Sequence, residues 1–487
     1  MQTCVQGTGC GTGSYAMYLG LFLKRRSRLA GCWQNMKATL FRGLRGVKFV
    51  PAVLLAAMMP FLVFEGYLRL TEESGHDDYL PPVPVFEEKD GIVVIHHPAG
   101  WVMESGELKI PKPANTVRIF VFGGSVSAGV IGKRQDETKA IASPFVEAPY
   151  PAVLQKVLPE RDRAHRFEVV NFSVPGWGSY RILPLLRESL RHAPDYVIVE
   201  AGNNEVAEGM IHERWKSSRA LRGFRTLVYL ARAIRATPGH SVGNWQGSAA
   251  SDFTIMEEDA RKLLDESRKN IREMAEVCRQ AKIPLLLVVE GSNLRYTDVE
   301  RTGFRDRRFG AWNRLLNRSG EGMGGAEPWA FRKAIEEINA QMATKTNDIW
   351  EQSYLHFLKG KAHDGLGEFA AAREEYKASR DLATFSVRSP GPFNDFIRAL
   401  SNRPNVFVAD AEAAFQDAMP DGIPDGRIFY DNCHPKSEGH RIVAELLLSI
   451  FEHQMGLEPK ADPSGVIAVI RETLKDAPPV YDTKPAQ

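Results

Sequence analysis

Five short apolar runs, each bounded by polar or turn residues, lie at 117–122, 167–172, 196–200, 283–289 and 406–408. Their side chains are aliphatic or aromatic without regular polar alternation, which predicts strands covered on both faces. Between them, apolar residues recur at helical spacing in 151–158, 180–191, 257–280 and several stretches of 326–400. Alternation of this kind predicts an α/β domain, a doubly wound, mainly parallel five-stranded sheet with right-handed crossovers. In such sheets the ligand sits beyond the carboxyl ends of the strands. Ser125, Gly176 and Asn204 all fall at those ends, and a long amphipathic helix over 436–451 closes the domain.

The first run leads into Arg118-Ile-Phe-Val-Phe-Gly-Gly-Ser-Val-Ser-Ala-Gly129, which places Ser125 at a strand end before a small-residue turn. Near the far end of the chain stands Asp431-Asn-Cys-His434-Pro. Ser125 is the candidate nucleophile, His434 the base that takes its proton, and Asp431 the carboxylate that orients the imidazole and stabilises its charged form. Ser127 is a second hydroxyl just past the turn and a weaker candidate. Acyl transfer also needs donors aimed at the developing oxyanion. The segments Asn171-Phe-Ser-Val-Pro-Gly176-Trp-Gly178-Ser and Gly202-Asn203-Asn204-Glu205 follow the second and third strands. With the N–H of Ser125 itself, the Gly176 N–H and the Asn204 amide make three donors. Gly291-Ser-Asn293-Leu-Arg295 and Asn394 also lie near the expected mouth, where turn-building and capping explain them.

The order of these four blocks, a serine, a glycine, an asparagine and a terminal Asp-x-x-His, resembles the SGNH (GDSL-like) hydrolase superfamily. The resemblance covers roughly 116–450 and implies a flavodoxin-like sheet. It implies Ser125 as nucleophile, Ser125, Gly176 and Asn204 as the oxyanion hole, and Asp431 and His434 as the remaining triad members. Two departures stand out. The family's Gly-Asp-Ser is Gly123-Gly124-Ser125 here, and its Gly-x-Asn-Asp is Gly202-Asn203-Asn204-Glu205, in which alignment on the glycine selects Asn204 over Asn203.

Charge is balanced overall, with 62 Lys and Arg against 60 Asp and Glu, so no nucleic-acid partner is expected. Locally it is not balanced. Residues 1–48 hold Lys24, Arg25, Arg26, Arg28, Lys37, Arg42, Arg45 and Lys48 and no acid, and 49–64 carry no charge. With Lys48 and Glu65 snorkelling, 48–68 is expected to anchor the chain in a membrane, with a basic cytoplasmic segment at 1–47. The hydrolase domain at 72–455 would then lie outside the cytoplasm, in the periplasm of a Gram-negative cell. Of the five cysteines, Cys278 and Cys433 lie beyond the anchor, which makes no disulfide framework. No metal or cofactor is expected.

Two insertions interrupt the domain. The first, about 211–250, carries Lys216, Arg219, Arg222, Arg225, Arg232 and Arg235 beside an apolar helical face, and reads as a lid helix with a solvated outer side. The second, about 326–390, contains Gly360, His363, Gly367, Ala372, Tyr376 and Ser379 in a pattern resembling one tetratricopeptide-like hairpin, a possible protein-binding surface. A single copy is expected to pack against the catalytic domain. The charged tail 456–487 has one apolar helical stretch, 465–474, and is expected to end without structure. The site and its setting lead to three expectations: an anchored esterase acting on an acyl or acetyl ester of an envelope glycan or lipid, an O-acyltransferase using the same triad, or a non-catalytic envelope scaffold.

Overall fold

The computed structural model describes residues 59, 61–63, 85–97, 106–129, 148–208, 257–297, 327–344, 349–383 and 387–481. The chain divides into two compact units, Met1–Ser74 with Ala220–His240, and Gly75–Arg219 with Ser241–Gln487. In the first unit the described residues are Met59, Phe61, Leu62 and Val63, all helical. Those four apart, the anchor expected at 48–68 lies outside the described residues, as do the segment 1–47 and the 211–250 insertion. No helix among the described residues is long and apolar enough to cross a membrane.

The second unit opens with a small antiparallel sheet of β1 (Phe86–Lys89), β2 (Ile92–Ile95) and β3 (Gly106–Lys109). Its strands, of four residues each, are too short to stand out as apolar runs. The signal was nevertheless present in Asp90-Gly91, which joins Lys89 to its partner Ile92 as a two-residue loop. Both loop residues have positive φ, 52° and 77°, the conformation of a type I′ hairpin. Phe86, Val93, Ile95 and Leu108 bury against the main core, where the Phe86 and Phe172 rings lie 5.4 Å apart.

The main sheet contains β4 (Thr116–Phe122), β5 (Arg166–Asn171), β6 (Tyr196–Glu200), β7 (Leu285–Val289) and β8 (Val406–Asp410). All neighbours are parallel, in the order β5-β4-β6-β7-β8. This is the expected five-stranded α/β sheet. The helices that follow are α1 (Ser125–Ala128), α2 (Tyr150–Arg161), α3 (Ser179–Ser189), α4 (Glu257–Gln280), α5 (Pro328–Ala343), α6 (Ile349–Gly365), α7 (Phe369–Leu382), α8 (Gly391–Ala399), α9 (Ala411–Ala418), α10 (Ser437–Met455) and α11 (Pro463–Thr473).

Strand periodicity explains why the apolar runs had no polar alternation. Phe120, Phe122, Val197, Val199, Leu285 and Leu287 face one layer, with Leu186 of α3, Met274 of α4 and Phe393 of α8. Ile119, Val121, Ile198, Leu286 and Val288 face the other, with Leu154 of α2, Phe415 of α9 and Leu447 of α10. Each large apolar side chain so covered contributes about 1.5–3 kcal/mol relative to exposure. The strand order reverses between β4 and β6, and a doubly wound sheet opens its ligand crevice at that point. The turns after those two strands carry Ser125 and Asn204.

The second insertion forms a helical hairpin, α6–α7, crossing where Gly360 meets Tyr376: a Cβ on Gly360 would stand 2.7 Å from the Tyr376 ring. It packs on the domain through Leu294 and Ile423, and on α5 through Phe331. A buried ion network fixes that contact. Arg295, fully buried, donates Nε and Nη2 to the two carboxylate oxygens of Asp364 on α6, at 2.6 and 2.8 Å. Its Nη1 donates to Asp425 at 2.7 Å and Asp421 at 3.1 Å. Breaking a buried pair from one side leaves its partner's charge uncompensated, so Arg295→Met is expected to destabilise by about 3–5 kcal/mol in urea unfolding.

Beyond the helical stretch the tail is held in place as far as Tyr481. The Tyr481 hydroxyl donates to Asp364 Oδ2 at 2.7 Å, the Val480 N–H donates to Asp425 Oδ2 at 3.2 Å, and Arg427 Nη1 reaches Ala477 O at 3.2 Å. The same carboxylates that hold Arg295 thus capture the tail. Residues 482–487 lie outside the described ones.

Candidate active site

β4 ends at Phe122, and Gly123-Gly124 turn the chain so that Ser125 opens α1. Both glycines are required by space. A Cβ on Gly123 would fall 2.0 Å from Ser127 Oγ, and one on Gly124 would fall 2.4 Å from Asn204 Nδ2. The second contact sets the Asn204 amide, as it stands here, in the space into which a side chain at position 124 would grow.

His434 Nε2 lies 2.6 Å from Ser125 Oγ, and His434 Nδ1 lies 2.7 Å from Asp431 Oδ2. An ionised carboxylate only accepts, so Nδ1 carries the proton and Nε2 is left to accept from the serine hydroxyl. Asp431 Oδ1 accepts the backbone N–H groups of Cys433 and His434 at 3.0 and 2.9 Å. Burial opposes ionisation of Asp431, but the neighbouring imidazole and these N–H groups outweigh it and hold the carboxyl below its ordinary range. The loop is pinned from outside too. Asn293, after β7, donates Nδ2 to Asp431 O at 3.1 Å and its N–H to Asn432 O at 3.0 Å.

Asn204 lies after β6 and donates Nδ2 to Trp177 O at 3.0 Å, which leaves a second amide hydrogen. It thereby joins the turn bearing Gly176 to its own turn after β6. The Val174 N–H makes a further link, donating to Gly123 O at 3.0 Å. Asn203 is engaged elsewhere: its Oδ1 accepts the Ser389 N–H at 2.8 Å, at the exit of the second insertion. Asn394 donates to Glu290 O at 2.9 Å and to Glu412 at 3.0 Å, a scaffolding position. Ser127 is fully buried and its hydroxyl donates to Glu200 Oε2 at 2.5 Å.

The site thus rests on acids that the motif reading did not single out. Glu200 ends β6 and Glu290 follows β7; both are buried, and Glu290 accepts the Asn203 N–H. Burial pushes the Glu200 carboxyl from its ordinary 4.5 up to about 7, against the Ser127 hydroxyl and the His434 charge, which favour ionisation. Glu290 is raised by burial and then by the charge of Glu200, with the Asn203 N–H opposing. An acid at the end of an otherwise apolar buried strand was the available signal. A carboxyl held above its unfolded pKa binds its proton better in the folded state. Stability from Glu200 is therefore fully present below about pH 4.5 and is lost as the pH rises through about 7. Over pH 5–7 the melting temperature of the wild type is expected to fall, and that of Glu200→Gln to fall less; parallel curves would rule out this assignment.

Among the described residues, one group has metal-ligand chemistry: Asp431, Cys433 and His434, with donor atoms within 4.8 Å of one another. An ion there would displace the hydrogen bond that orients His434.

A GDSL-like Lipase/Acylhydrolase family profile matches residues 121–336. The match ends within α5, so Asp431 and His434 are contributed from beyond it, after the second insertion. Similar solved structures include a GDSL-like lipase from Bacteroides thetaiotaomicron, at 13% identity over 69% of this chain and 88% of that one, with a TM-score of 0.30. Another is the acetylxylan esterase Axe2 from Geobacillus stearothermophilus, at 13% identity over 70% and 95%, with a TM-score of 0.33. No curated protein matches the chain. The matched stretch, 121–336, includes the turn at Gly123 and the Asn204 block, and there the chain is similar in both block order and profile to a GDSL-like lipase/acylhydrolase domain.

Proposed function

We propose that the protein is a membrane-anchored, extracytoplasmic serine esterase that cleaves an acyl or acetyl ester of an envelope glycan or lipid. The observation that carries the reading is the unbroken chain Ser125 Oγ, His434 Nε2, His434 Nδ1 and Asp431 Oδ2, with contacts of 2.6 and 2.7 Å. Ser125 Oγ attacks the ester carbonyl carbon while its proton passes to His434 Nε2. The carbonyl oxygen becomes an oxyanion, received by the N–H groups of Ser125 and Gly176 and the Asn204 amide. When the tetrahedral intermediate collapses, the bond from carbon to the alcohol oxygen breaks and His434 returns the proton to that oxygen. Water, deprotonated by His434, then attacks the acyl-serine and releases the acid. Asp431 stabilises the imidazolium at both stages.

The anchor supports the choice of envelope substrate. The basic, acid-free segment 1–48 followed by the uncharged 49–64 favours insertion with the amino terminus inside. The test is steady-state and burst hydrolysis of p-nitrophenyl acetate, butyrate and octanoate by the detergent-solubilised full chain, with Ser125→Ala alongside. Turnover that requires Ser125 supports the reading, and its chain-length profile separates acetyl from longer acyl use. Turnover equal in both proteins, or absent from both, overturns it. A Ser125-dependent burst without turnover replaces hydrolysis by transfer to a missing acceptor. The topology has its own test: alkaline phosphatase fused after Gln487 is expected to be active, and an inactive fusion would place the domain inside.

A further inference from the structure

The N–H of Gly176 is a donor only if its turn holds one particular form. Val174, Pro175, Gly176 and Trp177 make a turn closed by the Trp177 N–H on Val174 O at 3.0 Å. Proline in second place and Gly176 at φ 79° in third mark it as type II. Types I and II differ by a flip of the middle peptide. Here that peptide is Pro175–Gly176, and its N–H belongs to Gly176, so turn type decides which way the donor points. Nothing lies within 4 Å of the place a Gly176 Cβ would take. Val174 and Trp177 anchor the ends of the turn in the core, and hydrogen bonds act on its middle.

These bonds come from one side chain of α3 and from the turn of helix after β6. Arg181 Nη2 donates to Gly176 O at 2.7 Å, and Arg181 Nε donates to Glu208 Oε1. The buried Glu208 accepts the Gly178 N–H on its other oxygen at 3.0 Å. The guanidinium also lies over the Trp177 ring, 5.1 Å from its centroid. Next in sequence, Ser179 gives its N–H and hydroxyl to Glu205 at 2.9 and 2.6 Å. Gly178 has no room for a side chain, since a Cβ would stand 2.7 Å from Glu208 and 3.0 Å from Glu205. Arg181 is the bridge in this arrangement: among the described residues it ties the Gly176 carbonyl to the acid that also holds Gly178.

We infer that Arg181 and Glu208 are positioning residues, which lock the 174–177 turn so that the Gly176 N–H faces the oxyanion; the inference rests on the esterase reading above. Arg181 acts through Gly176 and does not touch the reacting atoms. Its side chain is 22% exposed, so a small guanidinium can reach its place from solution.

The experiment is p-nitrophenyl acetate kinetics on the full chain carrying Arg181→Ala, Arg181→Lys or Glu208→Gln. A whole oxyanion donor is worth about 10²–10³ in rate, so misaiming one in Arg181→Ala is expected to lower kcat by about 10- to 100-fold. Loss confined to the transition state leaves KM within about threefold. Ethylguanidinium is expected to restore a substantial part of the lost kcat in Arg181→Ala and to leave wild type unchanged. Arg181→Lys keeps a cation beside Glu208 but cannot span both Glu208 and Gly176 O. It covers the case in which the alanine variant fails to fold, and its kcat is expected to fall at an unchanged melting temperature. Wild-type kcat in Arg181→Lys, or no rescue of a folded Arg181→Ala, overturns the positioning role alone. Wild-type protein without Ser125-dependent turnover overturns the esterase reading, and the positioning role with it.

Discussion

In Ser125→Ala, kcat for ester hydrolysis is expected to fall by about 10⁶-fold, and adding His434→Ala is expected to cost almost nothing further. The reason is geometric. With Ser125 Oγ 2.6 Å from His434 Nε2, the base has one proton to take, and without that hydroxyl it has none. Asp431→Asn should cost less, about 10⁴-fold, because an amide at that position favours the wrong imidazole tautomer while the serine remains. The buried contacts of Asp431 add to this, since its Oδ1 organises the backbone at Cys433 and His434 as well. The same series tests Ser127. Its hydroxyl is enclosed and engaged with Glu200, so Ser125→Ala should leave no residual rate that Ser127→Ala then removes. Burst and steady-state rates on one p-nitrophenyl ester series decide the matter. A Ser125→Ala enzyme retaining more than about one hundredth of the wild-type kcat would contradict the assignment of the nucleophile, given the scale of triad losses.

How far the sequence led depended on whether a feature is local. The β4, β6 and β7 strands are covered on both faces, so their composition alone marked them. Ser125 and His434 stood out because the chemistry needs specific side chains at strand ends. The Asp90-Gly91 hairpin was legible as a dipeptide signal but was hidden by the shortness of its strands. Other features have no local signature. Glu290 meets Asn203, and Ser389 meets Asn203 from the far side, across long sequence separations. Arg295 gathers Asp364 from one distant segment and Asp421 and Asp425 from another, and two of these acids capture Tyr481 and Val480. Such networks depend on which polar groups folding buries together, and a residue's identity does not reveal that. The insertion, read in sequence as an interruption, is in fact joined to the oxyanion turn through its exit residue.

Asn204→Ala is expected to lower kcat by about 10²–10³-fold, the usual worth of one oxyanion donor. The amide also ties two turns together through Trp177 O, so a larger loss than from a donor alone would be no surprise. A less obvious expectation concerns Gly124. The family usually has an aspartate there, and restoring it would ordinarily count as a repair. In this chain Gly124→Asp should instead approach the loss of Asn204→Ala. Any Cβ at position 124 stands 2.4 Å from Asn204 Nδ2 and 3.2 Å from Trp177 O, closer than real Cβ atoms come to an amide nitrogen. The amide must then leave, and its bond to Trp177 O goes with it. Gly124→Ala separates the steric effect from the charge of the aspartate: if crowding is the cause, alanine should produce most of the loss by itself. The double variant Gly124→Ala with Asn204→Ala should then be no slower than Asn204→Ala, because the smaller side chain at 204 makes the room that Gly124 otherwise provides. Full activity in Gly124→Asp would show that the Asn204 amide has another place to stand, and the expected crowding would be refuted.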